Sequence, residues 1–176
     1  MAVSRAGRYL AAASETPSVL EMWRNTADGY QHVWETTDRV CDRLAFSPRG
    51  DALVAADWGR DELAVYDAPT GRVERRIPAK QTWGAEFSPD GEQLAFTEED
   101  DVVVWDWAAR KPLHRLHGHL STVTWVTYSP DGRQLVSCGK DRRVILWDAR
   151  TGQRLRTMIG HLVWPWQVVF AGSDRL

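Results

Sequence analysis

One four-residue turn recurs at a fixed interval, and nothing else in the chain constrains its fold so tightly. It reads Ser47-Pro48-Arg49-Gly50, Ser88-Pro89-Asp90-Gly91 and Ser129-Pro130-Asp131-Gly132, with successive serines 41 residues apart. Proline presets the second position of a type I turn, and glycine closes it. An aromatic residue precedes each copy: Phe46, Phe87 and Tyr128. A second marker, an aromatic followed by aspartate, recurs as Tyr66-Asp67, Trp105-Asp106 and Trp147-Asp148, at steps of 39 and 42 residues. Gly118-His119 returns 42 residues later as Gly160-His161.

The fullest copy runs from Gly118 to Gly152. Val123–Tyr128 is rich in β-branched and aromatic residues, as a strand is. After the Ser-Pro-Asp-Gly turn, Gln134–Cys138 reads as a second strand, Arg143–Asp148 as a third and Gln153–Met158 as a fourth. The third carries Val144-Ile145-Leu146-Trp147, apolar at consecutive positions, so both of its faces are expected to be buried. The unit is a four-stranded antiparallel meander. A period near 40 with these markers resembles the WD-repeat (WD40) family of β-propellers, whose blades are four-stranded sheets set around a channel. The resemblance covers nearly the whole chain. It implies an all-β fold with about four blades present, as a portion of a larger propeller.

The expected repeats span 1–36, 37–78, 79–119 and 120–160, with an extra innermost strand within 161–176 and no second domain. The first starts in mid-repeat. Val3 leaves only two residues for the strand before its turn, so its first complete strand is expected over Arg8–Ala13. Trp164–Phe170 is expected as one more innermost strand, the kind the first repeat lacks. The resemblance implies that these two ends pair to close a ring. Three arrangements follow: a fragment of a longer propeller, two chains in an eight-bladed homodimeric ring, and a closed four-bladed ring. The first is favoured, because Val3–Gly7 looks like the sheared end of a preceding strand and turn.

Composition removes several classes of function. The 176 residues carry a net charge of −2 and no long basic run, so no nucleic-acid footprint is expected. The longest early apolar run, Tyr9–Ala13, is too short for a signal peptide or a membrane span. Cys41 and Cys138 stand in different repeats and read as reduced core thiols, which points to the cytoplasm. Arginines 72, 75, 76, 154 and 156 crowd the outermost strands, where charge discourages edge-to-edge pairing.

In the family, a buried network links the histidine of the Gly-His pair, a Ser or Thr on the second strand, an Asp in the next turn and a Trp on the third strand. The matching positions here are His119, Ser137, Asp141 and Trp147. The third repeat offers Thr97, Glu99 or Asp100, and Trp105, without a Gly-His pair. Ser, His and Asp are also the residue types of a hydrolytic triad. A serine in mid-strand has no strained elbow and no oxyanion hole, so a structural role is expected and no catalytic residue is assigned. His114, His117 and His119 suggest a metal by spacing alone, but a strand would turn His114 away from the other two. Glu98-Glu99-Asp100-Asp101 lacks the spaced ligands and glycine of a calcium loop. No metal and no cofactor are expected.

Trp83 and Trp166 each stand four residues before the aromatic that ends an innermost strand, and Trp58 lies in a turn between second and third strands. The family resemblance places both locations on one rim of the channel, where partners dock. Exposed tryptophans are common interface anchors; the alternative is that they pack between blades. The expected function is a non-catalytic scaffold for protein–protein interaction. The alternatives are a fragment with no independent role and a small-ligand sensor or enzyme using the channel.

Overall fold

The computed structural model describes residues 1–15, 18–37, 43–57 and 60–171. Its strands form four four-stranded antiparallel sheets, with no helix among the described residues. The chain divides into two compact units, Met1–Gln81 and Thr82–Leu176. In the first unit, β1 (Ala2–Val3), β2 (Tyr9–Glu15), β3 (Ser18–Thr26) and β4 (Gly29–Thr36) make one sheet. β5 (Arg43–Phe46), β6 (Ala52–Asp57), β7 (Glu62–Asp67) and β8 (Val73–Pro78) make the other. In the second unit, β9 (Ala85–Phe87), β10 (Gln93–Glu98), β11 (Asp101–Asp106) and β12 (Lys111–Leu116) form the third sheet. β13 (Val123–Tyr128), β14 (Gln134–Gly139), β15 (Val144–Asp148) and β16 (Arg154–Met158) form the fourth.

The recurring turn works the same way in every sheet. The amides of Gly50, Gly91 and Gly132 donate to the carbonyls of Ser47, Ser88 and Ser129, and Gly7 does the same to Ser4. These glycines sit at φ between 65 and 78°, a left-handed conformation that a Cβ makes costly. The serine hydroxyl is buried and accepts the amide of the residue five places on, at 2.9–3.0 Å for Tyr9, Ala52, Gln93 and Gln134. Each serine thus ties its innermost strand to the next. The aspartate after the aromatic serves the following hairpin: Asp67, Asp106 and Asp148 accept the amides of Thr70, Ala109 and Thr151 at 3.0, 2.7 and 2.7 Å.

Two expectations about the ends are corrected. Ala2–Val3 is a strand, pairing Ala2 with Ala11 and Val3 with Leu10, so the first sheet has all four of its strands. Two residues suffice because the Ser4 turn fixes the reversal. Residues 164–170 form no strand. Extended backbone becomes a strand only beside a hydrogen-bonding partner, and here the segment lies against the fourth sheet instead. The Pro165 carbonyl accepts from the hydroxyl of Thr124 at 3.0 Å and the thiol of Cys138 at 3.4 Å. Val168 and Phe170 cover Val136, Cys138 and Val144. Both faces of β15 are therefore covered, since Ile145 and Trp147 point the other way.

The cores lie between sheets within each unit. Leu20 and Met22 meet Leu53, Ala55, Ala64 and Tyr66 in the first unit, while Val102 and Val104 meet Leu135, Ile145 and Trp147 in the second. A polar clasp crosses the second seam. Glu86 accepts the Thr127 hydroxyl at 2.8 Å and the Tyr128 amide at 3.2 Å, and burial raises its carboxyl above the ordinary value despite both bonds.

An outer-strand ring also latches each seam. Trp34 on β4 stacks on Tyr66 (5.7 Å, 23°) and donates its indole N–H to the Ala68 carbonyl at 2.8 Å. His114 on β12 takes the corresponding place, with Nε2 3.0 Å from the Arg150 carbonyl oxygen. Both rings lie over a hairpin glycine, Gly71 and Gly152. A Cβ on Gly71 would come within 2.6 Å of Trp34 Cδ2, whereas one on Gly7 would meet nothing within 4 Å, and both residues are left-handed. Gly7→Ala is expected to cost about 1 kcal/mol from conformation alone, and Gly71→Ala about 2–4 kcal/mol because a packing clash is added. Urea unfolding of the two variants side by side measures the difference; equal costs would mean that Trp34 moves aside freely.

Candidate functional site

The fourth sheet brings His119, Ser137, Asp141 and Trp147 into one chain of hydrogen bonds. Ser137 and Trp147 project from adjacent strands toward the face that meets the third sheet, because Ser137 pairs with Ile145 and Leu135 with Trp147. The Trp147 indole donates to Ser137 Oγ at 2.9 Å, and that hydroxyl donates to His119 Nε2 at 2.8 Å. His119 Nδ1–H then donates to the Asp141 carboxylate at 3.0 Å. Asp141 also accepts the amides of Leu120 (2.9 Å) and Arg143 (3.1 Å). Burial pushes His119 below its ordinary value, outweighing its bond to Asp141, so the ring is neutral at pH 7. Burial alone would raise Asp141, but its hydrogen bonds from Leu120, His119 and Arg143 hold it below the usual carboxylate range.

The order of atoms is that of a Ser-His-Asp triad, and the surroundings are not. Ser137 has no exposed surface and His119 only 4%. The serine hydroxyl is engaged by the indole that donates to it and has no open side for a substrate to approach. What the four residues do is hold the strap before β13, the middle of β14, the following turn and β15 in one register.

The other sheets lack the set for a reason visible in their pairing. Counted from the aromatic that pairs across, the position of Ser137 is held by Ala12, Ala55 and Phe96. Thr97, matched to Ser137 from sequence, stands one residue further on and faces the opposite way. Its hydroxyl accepts the amides of Trp83 and Gly84, at 2.8 and 3.2 Å. With Phe96 in the serine's place, the buried indole N–H of Trp105 finds no hydrogen-bond partner among the described residues.

The three histidines spaced like metal ligands go to three separate partners: His114 to the Arg150 carbonyl, His117 to Asp101 at 2.8 Å, and His119 to its network. Glu98 and Asp101 of the acidic run bond to Arg115 across the hairpin. Glu21, His32 and Glu35, on β3 and β4, bring one donor atom each within 4.8 Å of the others. No sequence spacing announces them, since strand pairing alone assembles them; His32 and Glu35 are exposed, and three donors fall short of a structural zinc set. Cys138 is buried and unbridged, its thiol pushed up to about 11 by burial. Cys41 lies outside the described residues.

Trp83 and Trp166 do come together. Their ring centroids are 6.5 Å apart, and Trp164, which the sequence did not single out, packs against Trp166 at 4.2 Å. Trp166 is 55% exposed and Trp83 half-buried. Lys140, in the turn between β14 and β15, extends its ammonium over this cluster. Trp58 lies outside the described residues.

Residues 110–148, from β12 of the third sheet through β15 of the fourth and including the hydrogen-bonded tetrad, match the family described as "WD domain, G-beta repeat". The chain is similar to Centriole proteome protein 16 of Chlamydomonas reinhardtii, 40% identical over 65% of this chain and 5% of that protein. It is 36% identical to the LEC14B homolog of Prunus armeniaca, over 81% of this chain and 34% of the relative. To the target of rapamycin complex subunit wat1 of Schizosaccharomyces pombe it is 28% identical, over 84% and 52%. Repeated four-stranded antiparallel blades, each with the same serine turn between its first two strands, define the class as a β-propeller of repeats. The chain belongs to the WD-repeat family. It spans between a twentieth and about half of the length of these relatives.

Trp147→Ala is expected to cost about 3–5 kcal/mol as the deletion of a buried aromatic. Trp23→Ala, at the equivalent but only half-buried position of the first sheet, is expected to cost less; chemical denaturation ranks the two. The network also carries a pH signature. In the unfolded chain His119 takes up a proton as pH falls through its ordinary value of 6.5, and the buried ring does so only lower. Stability is therefore full above that value and declines below it, by up to about 1.4 kcal/mol per pH unit. Melting curves from pH 8 to 5 should show the gap between the native chain and His119→Gln narrowing below pH 6.5; a constant gap would show that the ring titrates alike in both states.

Proposed function

We propose that this chain is a non-catalytic scaffold, a portion of a WD-repeat propeller built of repeats 1–36, 37–78, 79–119 and 120–160. It holds other proteins, in the cytoplasm, through the tryptophan-bearing rim of its second unit. The observation that carries this reading is the contrast between its two polar–aromatic clusters. The Ser137–His119–Asp141 relay is sealed, whereas Trp166 is 55% exposed beside Trp83 and Trp164. Large aromatics left open to water and clustered on one rim are what an interface anchor looks like. The relative from Schizosaccharomyces pombe is a complex subunit, which supports a role in assemblies. Trp58, in the first unit and outside the described residues, is proposed as a separate partner-binding position by its place in the sequence between second and third strands.

The contact surface separates cleanly from the charged outer strands. A pull-down from native cell extract should lose its partners with the double variant Trp83→Ala/Trp166→Ala and keep them with Arg154→Ala/Arg156→Ala. Both arginines are exposed on β16, the outermost strand of the fourth sheet. Retention by the tryptophan variant and loss by the arginine variant would move the interface to the outer edge and defeat the rim reading.

A further inference from the structure

The tryptophan cluster already holds a cation. Lys140 Nζ stands 4.8 Å from the centroid of Trp83 and 5.2 Å from that of Trp164, both within the roughly 6 Å over which an aromatic face attracts an ammonium. Trp166 closes the cluster, tilted against Trp164 (4.2 Å, 37°) and set edge-on to Trp83 (6.5 Å, 61°). The three rings come from two separate parts of the chain. Trp83 enters β9, while Trp164 and Trp166 lie on the segment whose Pro165 carbonyl is fixed by Thr124 and Cys138. The walls are thus held by the fold, while their occupant is the tip of a flexible, exposed side chain.

We propose that Trp83, Trp164 and Trp166 form a binding site for an N-methylated lysine side chain of a partner protein, with Lys140 as the built-in occupant that the partner displaces. The inference rests on the rim reading above and deepens it. The choice of cation follows from what surrounds Lys140. Among the described residues no carboxylate forms an ion pair with it; aromatic faces alone hold it. A primary ammonium is strongly hydrated and loses three water hydrogen bonds when it enters such a site without acceptors. A methylated ammonium keeps the charge, sheds that hydration readily and presents carbon to the rings. The open side at Trp166 gives the entering side chain its path, and the lysine stem permits Lys140 to swing out into water.

The test uses the 176-residue chain and one small probe, N-acetyl-trimethyllysine methylamide, followed through the indole N–H resonances of Trp83, Trp164 and Trp166. In Lys140→Gln, which removes the competing cation, the probe should give saturable shifts at these three indoles. It should bind several-fold more weakly to the unsubstituted chain. The neutral analogue with carbon in place of the quaternary nitrogen should bind about tenfold more weakly than the cation. Trp166→Ala in the Lys140→Gln background should abolish the shifts while leaving the melting temperature unchanged, since that ring is exposed. If that variant melts lower, Trp83→Leu, which keeps apolar bulk and removes the π face, decides. Equal binding of the neutral analogue, or no saturable shift in Lys140→Gln up to millimolar probe, overturns the proposal. Partners lost from the pull-down on Trp83→Ala/Trp166→Ala, with no response to the probe, would leave the rim standing and remove the ammonium site alone.

Discussion

A twisted sheet of four short strands buries little until another surface is laid against it, and each element of this structure serves that contact. Leu20 and Met22 need Tyr66 and its neighbours; Val102 and Val104 need Ile145 and Trp147. The turn serines fix the innermost strands that Glu86 clasps across one seam, and Trp34 and His114 latch the outer strands across theirs. The same requirement explains the segment after Gly160. A second apolar face on the fourth sheet, carrying Val136, Cys138 and Val144, is covered by whatever chain lies within reach, here Val168 and Phe170. Such stacking makes stability nearly a sum of neighbour contacts, which is why one seam can be richly locked and another plain.

The tetrad in the fourth sheet shows how little separates a structural relay from a catalytic one. Ser137, His119 and Asp141 have triad distances, and burial depresses the histidine as it would a general base. The difference lies in what accepts and what is open. An indole N–H occupies the serine where a substrate would approach, and no water-facing surface remains on the hydroxyl. A polar network that is complete, buried and closed to ligands holds strands in register, because each group has its partner only in one alignment.

The sheet order was legible because the markers are local. A Ser-Pro-Asp-Gly turn and an aromatic–aspartate pair each define a reversal within four or five residues, and strands fall between reversals. The tetrad was legible only through the resemblance to the WD-repeat family, which implies a role for each position that matches its pattern. What escaped depends on pairing between strands. Thr97 was misaligned by one residue, and on a strand one residue is a change of face. The partner of His114 lies 36 residues away on the next sheet, beyond any spacing signal. Trp164 joined Trp83 only once the end of the chain lay against the fourth sheet, and a sequence pattern alone made that end look like a paired strand.

The two halves of the seam in the second unit are unequal, and the chain makes them in a definite order. The third sheet offers Ala95, Val102 and Val104; the fourth brings Leu135, Ile145 and Trp147 to meet them. β12 ends at Leu116 and β16 at Met158, 42 residues later. At a synthesis rate of about 5–20 residues per second, that interval is roughly 2–8 s. Hairpins pair in roughly 1–10 μs. On the ribosome the third sheet is thus complete long before its cover exists, and the surface it shows while waiting is Ala95, Val102, Val104 and Leu116, without an aromatic side chain. The bulky, adhesive half emerges second, beside a partner already formed, so the direction of translation itself spares the nascent chain its stickiest exposure.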